Sequence, residues 1–273
     1  MRPAASALVA FLIGGTALAQ PASEPAHPSS EPNTVGLAYS IAFWSIPFGQ
    51  TSYDGRFANG GYAASSHFET SGIVSLFWQA IIDASSSGRI AARTLAPNRY
   101  DSFYRRGSSK KERVAVTFDK NAVTTFADPP YDLTKYPVSD AQKREAVDPM
   151  SAITSVLTAM TADRTNPCGT MAPVFDGRRR YDIEFSYMRD EPVNLGTLFN
   201  GTAHLCRLHY KQIAGFKPKI LKDGVSFPPI YGDFAEVSSA GAPQHRYIVP
   251  LKLWAHVNWG TVSVQITRLD ITK

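Results

Sequence analysis

From Val35 onward, apolar and polar positions alternate with a period of two. Val35, Leu37, Tyr39, Ile41 and Phe43 share one face, and Gly36, Ala38, Ser40 and Ala42 share the other, the pattern of a half-buried β-strand. Pro47-Phe48-Gly49 reads as a turn and residues 50–57 as the returning strand. Asn59-Gly60-Gly61 is a strong turn signal, after which residues 62–70 and 73–82 read as two more strands. Ser85-Ser86-Ser87-Gly88 reads as a further turn, since small polar residues and glycine punctuate chains. Strands are predicted next at residues 89–95, 99–106, 111–118 and 122–126, with Gly107-Ser108-Ser109 turning the chain between the second and third. In 111–118, Val114, Val116 and Phe118 alternate with Arg113, Ala115 and Thr117, as in a sheet with one wet face. About eight consecutive strands joined by tight turns would strain a flat sheet, so the meander should curl toward a barrel or half-barrel. The concave face must then be filled by side chains, a helix or a ligand.

Residues 128–146 contain Pro129-Pro130 and Pro137 and predict an extended link, with room for one helical turn near 141–145. The principal helix follows. Asp148 is a good N-cap and Pro149 suits the first helical position. Met150, Ile153, Leu157 and Met160, joined by Val156, fall at helical spacing on one face, and Asn166-Pro167 ends the helix. That stripe is expected to pack against, or plug, the concave sheet. Strands resume at Val174-Phe175, turn at Asp176-Gly177, and continue at 178–185 and 202–210, where Cys206 shares a face with His204 and Leu208. Residues 217–245, with Pro218, Pro228, Pro229 and Pro243, predict an irregular segment. A final hairpin spans 247–257 and 261–271 around Asn258-Trp259-Gly260. The fold class is therefore mainly β: a long curved antiparallel sheet, as half-barrel, β-spiral or barrel, packed around one principal α-helix, with residues 35–273 as a single domain.

The N-terminus changes where this domain is expected to be. Arg2, the apolar segment from Ala7 and the small-x-small Ala17-Leu18-Ala19 read as a secretory signal over residues 1–19, its apolar run shorter than the roughly 20 residues a membrane span needs. Residues 20–34 are rich in Pro, Ser and Glu and predict a disordered tether. No later apolar run is long enough to span a bilayer. A formal net charge of +5 is an ordinary solubility margin and argues against a nucleic-acid partner. In an exported chain the two cysteines, Cys168 and Cys206, most simply form one disulfide, for which the chain-entropy estimate is roughly 3–4 kcal/mol. Neither lies in a C-x-x-C pair.

Candidate chemistry is sparse. No H-E-x-x-H or paired C-x-x-C occurs, and His204 and His209 face opposite sides of a strand, so no metal is expected. There is no G-x-S-x-G elbow and no phosphate-cradling glycine loop; no catalytic residue and no cofactor are assigned. Asp182 and Glu184 share the face of Arg178 and Arg180, which predicts cross-strand charge pairing. Arg179 is the anomaly. Alternation places it with Tyr181, Ile183 and Phe185 on the inner face, where a charge requires a partner. Asp176 or Asp148 could supply one internally, and an anionic lipid head group or glycan carboxylate is the sharper alternative. Arg178, Arg179, Arg180 and Asp176 are accordingly the candidate ligand-binding residues.

The order V-D-P-M-S-A at 147–152, P-C-G at 167–169, V-F-D-G-R-R-R-Y-D at 174–182 and the later Cys206 resembles the bacterial family known as domain of unknown function 3108, over roughly residues 35–271. The resemblance implies a curved antiparallel sheet around a helix, a paired Cys168–Cys206 and a periplasmic address in Gram-negative bacteria. It implies no reaction. At the level of fold the pattern is also similar to periplasmic β-spiral and lipoprotein-carrier half-barrel proteins of the envelope. Two functions follow as expectations: a non-enzymatic cell-envelope factor, structural or binding a lipid, glycan or protein partner, and an envelope hydrolase with a dispersed site. A deep cleft pairing a histidine with Ser or Asp would favour the hydrolase; a concave apolar groove ending at Arg179 would favour lipid or glycan binding.

Overall fold

Asparagine 33 already carries strand geometry, two residues before the alternation becomes evident. The computed structural model describes residues 33–91, 94–108, 110–160, 166–223, 227–239 and 242–272; the proposed signal and most of the tether lie outside them. Seven strands make the first arm: β1 (Asn33–Phe43), β2 (Ile46–Ala58), β3 (Gly61–Thr70), β4 (Ala80–Ala91), β5 (Thr94–Arg106), β6 (Lys110–Phe118) and β7 (Val123–Asp128). Two helices follow, α1 (Asp140–Arg144) and α2 (Pro149–Leu157). The second arm comprises β8 (Met171–Phe175), β9 (Arg180–Asn194), β10 (Asn200–Ala214), helix α3 (Pro218–Asp223), β11 (Ile230–Ser239), β12 (Ala242–Val257) and β13 (Gly260–Thr272).

All thirteen strands join one antiparallel sheet in the order β7-β6-β5-β4-β3-β2-β1-β13-β12-β11-β10-β9-β8. Each arm is thus a meander, and the arms meet where β1 pairs with β13. A sheet of this width cannot stay flat under its own twist. It curls, as the strand count predicts, into an open, curved sheet. Its two edges approach each other at the β8–β9 turn, where a Cβ on Gly177 would lie 2.7 Å from Val114 and 3.2 Å from Thr125. The alternation of β1 is realised: Val35, Leu37 and Tyr39 are buried.

Helix α2 lies in the concavity, touching β3, β4 and β5 of one arm and β8 and β12 of the other. Its start is the one the sequence predicts. Asp148 caps it, accepting from the Ser151 N–H at 2.9 Å, and Pro149 occupies the first turn. Its burial is not. Met150 and Leu157 are buried as expected, but so are Ser151, Thr154 and Ser155, whereas Ile153 is 47% exposed. The hydroxyl face is sealed by partners from distant strands. Tyr53 bonds Thr154 Oγ1 at 2.9 Å, Tyr62 bonds Ser151 Oγ at 2.6 Å, and Ser86 donates to Asp148 Oδ2 at 2.9 Å. The Ser151 hydroxyl also donates to Asp148, so in the Tyr62–Ser151 bond the tyrosine is the donor. A buried polar group is tolerable only with such partners.

The strand boundaries differ from the sequence reading in several places: residues 89–95 divide between the end of β4 and the start of β5, β9 runs Arg180–Asn194, and four further differences have a local reason. The β1–β2 turn is Trp44-Ser45, both at positive φ, so Pro47-Phe48-Gly49 belongs to β2. Gly72–Leu76 forms a 3-10 turn within the segment read as a strand at 73–82. The Ser85–Gly88 run is the interior of β4 and not a turn, because Ser86 faces the helix cap. Residues 217–245 are more regular than their prolines suggest: α3, β11 and the start of β12 fall within them. Cys168 and Cys206 are joined, with Cα atoms 6.0 Å apart, and pack with Phe185, Phe234 and Ile248 in a second buried cluster beside the main one.

Candidate ligand cavity

α2 turns its hydroxyls, Met150 and Leu157 to the core, which leaves Ile153 and Val156 toward open space. Ile153 and Val156 border a cavity of about 440 Å³, within the roughly 300–1,000 Å³ usual for small-molecule sites. The opposite wall comes from both arms: Leu37, Tyr39 and Tyr53 from β1 and β2; Tyr181, Ile183, Phe185 and Leu208 from β9 and β10; and Phe234, Leu253 and Val264 from the last three strands. The lining is overwhelmingly apolar. The disulfide cluster supports this wall from behind, since Phe185 and Phe234 belong to both.

One polar group stands out in the lining. Tyr39 is 8% exposed, and its hydroxyl is buried with no hydrogen-bond partner among the described residues. Burial pushes its pKa up, so the hydroxyl stays protonated and can donate. An unsatisfied buried hydroxyl costs about 1–3 kcal/mol, a cost that a ligand acceptor would remove. Tyr181, also held protonated by burial, packs against Tyr210 at 4.7 Å between ring centroids.

The arginine cluster is arranged differently from the alternation argument. Arg179 is not buried beside Tyr181. It is exposed, in the turn before β9 begins at Arg180, and its backbone N–H bonds Asp176 Oδ1 at 2.6 Å. Alternation counts only from the first strand residue. Its guanidinium lies 5.5 Å over the Phe216 ring, and that of Arg178 lies 5.0 Å over Tyr131. Arg180 is the buried one: it pairs with Asp182 and donates to the Tyr181 carbonyl at 2.7 Å. Asp148, bonded to serines of α2 and β4, is not a partner for any of them. Asp176 is held above the usual carboxylate range by burial. Phe216 stacks edge-on to Tyr210, so Arg179, Phe216, Tyr210 and Tyr181 form a continuous row from the exposed turn to the cavity wall.

Other candidate sites are weaker. A larger groove of about 680 Å³ on the outer face is rich in charge, but most of the charges pair with one another: Arg113 and Arg99 bind Asp101 at 2.6 and 3.1 Å, and Arg268 lies 3.4–3.6 Å from Asp270 and Asp54. His67 bonds Asp83 at 2.7 Å and faces Glu69 at 3.8 Å. Both ring nitrogens are thus turned to carboxylates and not to a serine, and the Asp83 bond raises the histidine pKa. Among the described residues no group of three or more His, Cys, Asp or Glu side chains is placed to hold a metal ion, and no helix is long and apolar enough to cross a membrane.

The fold and the cavity define the class: a curved, barrel-like β protein wrapped around a capped helix. The chain belongs to the family described as "Protein of unknown function (DUF3108)", whose model matches residues 38–226. A solved structure described as a β-barrel-like protein of domain of unknown function DUF1849 from Brucella abortus is similar over 89% of this chain and 98% of that one, with a TM-score of 0.52 and 10% identity. At that identity the likeness concerns the fold alone. No curated protein matches the chain.

Proposed function

We propose that this protein is a non-enzymatic binding protein of the bacterial periplasm that holds the acyl chain of an anionic lipid in its concave cavity. One observation carries the reading: α2 buries its serines and threonines and leaves Ile153 and Val156 to line an apolar space. A helix placed only to fill the sheet would bury Ile153 as it buries Met150 and Leu157. Tyr39 lines the cavity, and its buried hydroxyl, unpartnered among the described residues, supplies one donor to a ligand acceptor that reaches it. Arg178 and Arg179, with Asp176 shaping their turn, supply cations for a carboxylate or phosphate head group. Export is supported by the N-terminal sequence and by a disulfide, which persists in oxidising compartments.

Native mass spectrometry of protein purified from periplasm tests this, together with titration by a fluorescent fatty-acid probe. The expected outcome is a co-purifying lipid and saturable probe binding. Ile153→Asp, an exposed position, should weaken that binding about tenfold or more by placing a charge in the cavity. Tyr39→Phe and Arg179→Ala should each weaken carboxylate-bearing probes by about three- to tenfold while sparing a plain hydrocarbon probe. If Ile153→Asp binds as well as the native chain, the cavity is not the site.

A further inference from the structure

The two borders of the sheet, where its turns lie, are unlike each other. At one, backbone hydrogen bonds tie turn to turn: Trp44 N–H to Thr261 O (3.0 Å), Ser71 N–H to Phe48 O (2.8 Å) and Gly107 N–H to Gln79 O (3.0 Å). The β12–β13 turn, the β1–β2 turn, the β3–β4 connection and the β5–β6 turn thus make a continuous edge. Its apolar side chains stand in solvent: Trp44, Trp259 and Phe77 are 65%, 72% and 87% exposed, and Ile46 and Leu76 are exposed beside them. They are grouped, not scattered. Phe43 lies 5.6 Å from both the Trp44 and Trp259 rings. Cations continue the edge at the β5–β6 turn, where Arg105, Arg106, Lys110 and Lys111 are all exposed, with Glu112 pairing only Lys110 at 3.1 Å. None of the exposed large hydrophobic residues falls in the β2–β3, β6–β7 or β9–β10 turns of the opposite border.

We propose that this edge docks on the surface of an anionic lipid bilayer. Trp, Phe and Leu side chains of such a border enter the interfacial zone, where amphipathic rings are favoured. The adjacent guanidinium and ammonium groups meet the lipid phosphates. Exposed aromatic residues alone would suit many partners; the neighbouring block of four cations, of which Glu112 pairs only Lys110, selects a negatively charged surface. Three of the four tryptophans, Trp44, Trp78 and Trp259, sit on this edge, so docking has a direct optical signal.

Co-sedimentation and tryptophan fluorescence with phosphatidylcholine vesicles, with and without about a third of phosphatidylglycerol, test the proposal. Binding and a blue shift are expected with the anionic vesicles, and both should fade as salt is raised. Trp44→Asn combined with Phe77→Ser should weaken binding about tenfold or more; asparagine is chosen because Trp44 has a positive φ. Arg105→Glu with Arg106→Glu should do the same through charge alone. Neither pair touches the cavity, so probe uptake should be unchanged and serves as the check that each variant is folded. Equal binding to neutral and anionic vesicles, no binding to either, or full binding by both folded variants would overturn the proposal. A protein partner at this edge would give one of those last two results. The cavity reading stands or falls separately.

Discussion

Gly88 sits where no side chain has room. A Cβ there would lie 2.3 Å from the carbonyl oxygen of Ala96, 2.7 Å from Pro97 Cα and 2.8 Å from the Tyr62 ring. Two of these are backbone atoms of β5, which bulges against β4 at this point, so the clash has no cheap relief. Gly88→Ala is expected to lower stability by about 2 kcal/mol or more, read as a fall in the urea midpoint without change of slope. The same run explains a misreading. Ser85–Gly88 has turn composition, yet Ser86 is there to bond Asp148, and Gly88 to admit a neighbouring strand. Short-range chemistry and long-range packing select the same residue types, and only the folded chain separates them. The arginines teach a related lesson: Arg179 lies in the turn before β9 and is exposed, and the buried charge is Arg180, paired with Asp182 on the face opposite the cavity.

Asp233 gives a pH dependence at this same scale. Burial, reinforced by Glu191, lifts its pKa from 3.8 to about 6. Between these values the folded protein retains a proton that the unfolded chain has released. Its contribution therefore favours the fold most below about pH 4, declines as pH rises, and is lost above about pH 6. Asp233→Asn should flatten that decline, seen as a smaller drop in urea midpoint from pH 4 to 7 than in the native chain. An unchanged profile would mean another group titrates in its place.

At the scale of elements, the start of α2 was legible and its orientation was not. Capping is local, so Asp148-Pro149 announces the helix in sequence. Facing is tertiary: the tyrosines and the serine that bond its hydroxyls and its capping carboxylate lie 62–101 residues away. An apolar stripe normally marks the buried side, and here Ile153 and Val156 mark the cavity. The disulfide was legible because a chain with two cysteines has only one pairing open to it. It ties the segment after α2 to β10 across 38 residues. Replacing both cysteines by serine should cost about 3–4 kcal/mol, measured by urea unfolding with and without reductant. The native protein in reductant should approach the double variant. Because the disulfide cluster backs the cavity wall, the variant should also bind the fatty-acid probe more weakly.

For the whole molecule, curvature followed from counting strands, since a sheet this wide must curl. Strand order did not. Alternation reports which face a residue takes, and says nothing about which strand lies beside which; the pairing of β1 with β13 has no local signature. The cavity is a property of this scale alone, for its wall takes residues from both arms and its floor from the link between them. It was visible in sequence only as the statement that a concave face must be filled.

That central seam has a consequence for how the chain acquires its structure. Thr34 and Thr272 meet across a sequence separation of 238, so the two meanders can each form early from neighbouring strands while their union waits for the final one. Loop closure over such a span is entropically costly, and high contact order slows folding. The last step of assembly is then the zipping of first strand to last, and a chain lacking residues 260–272 should stall as two half-sheets with the helix between them and the cavity unmade.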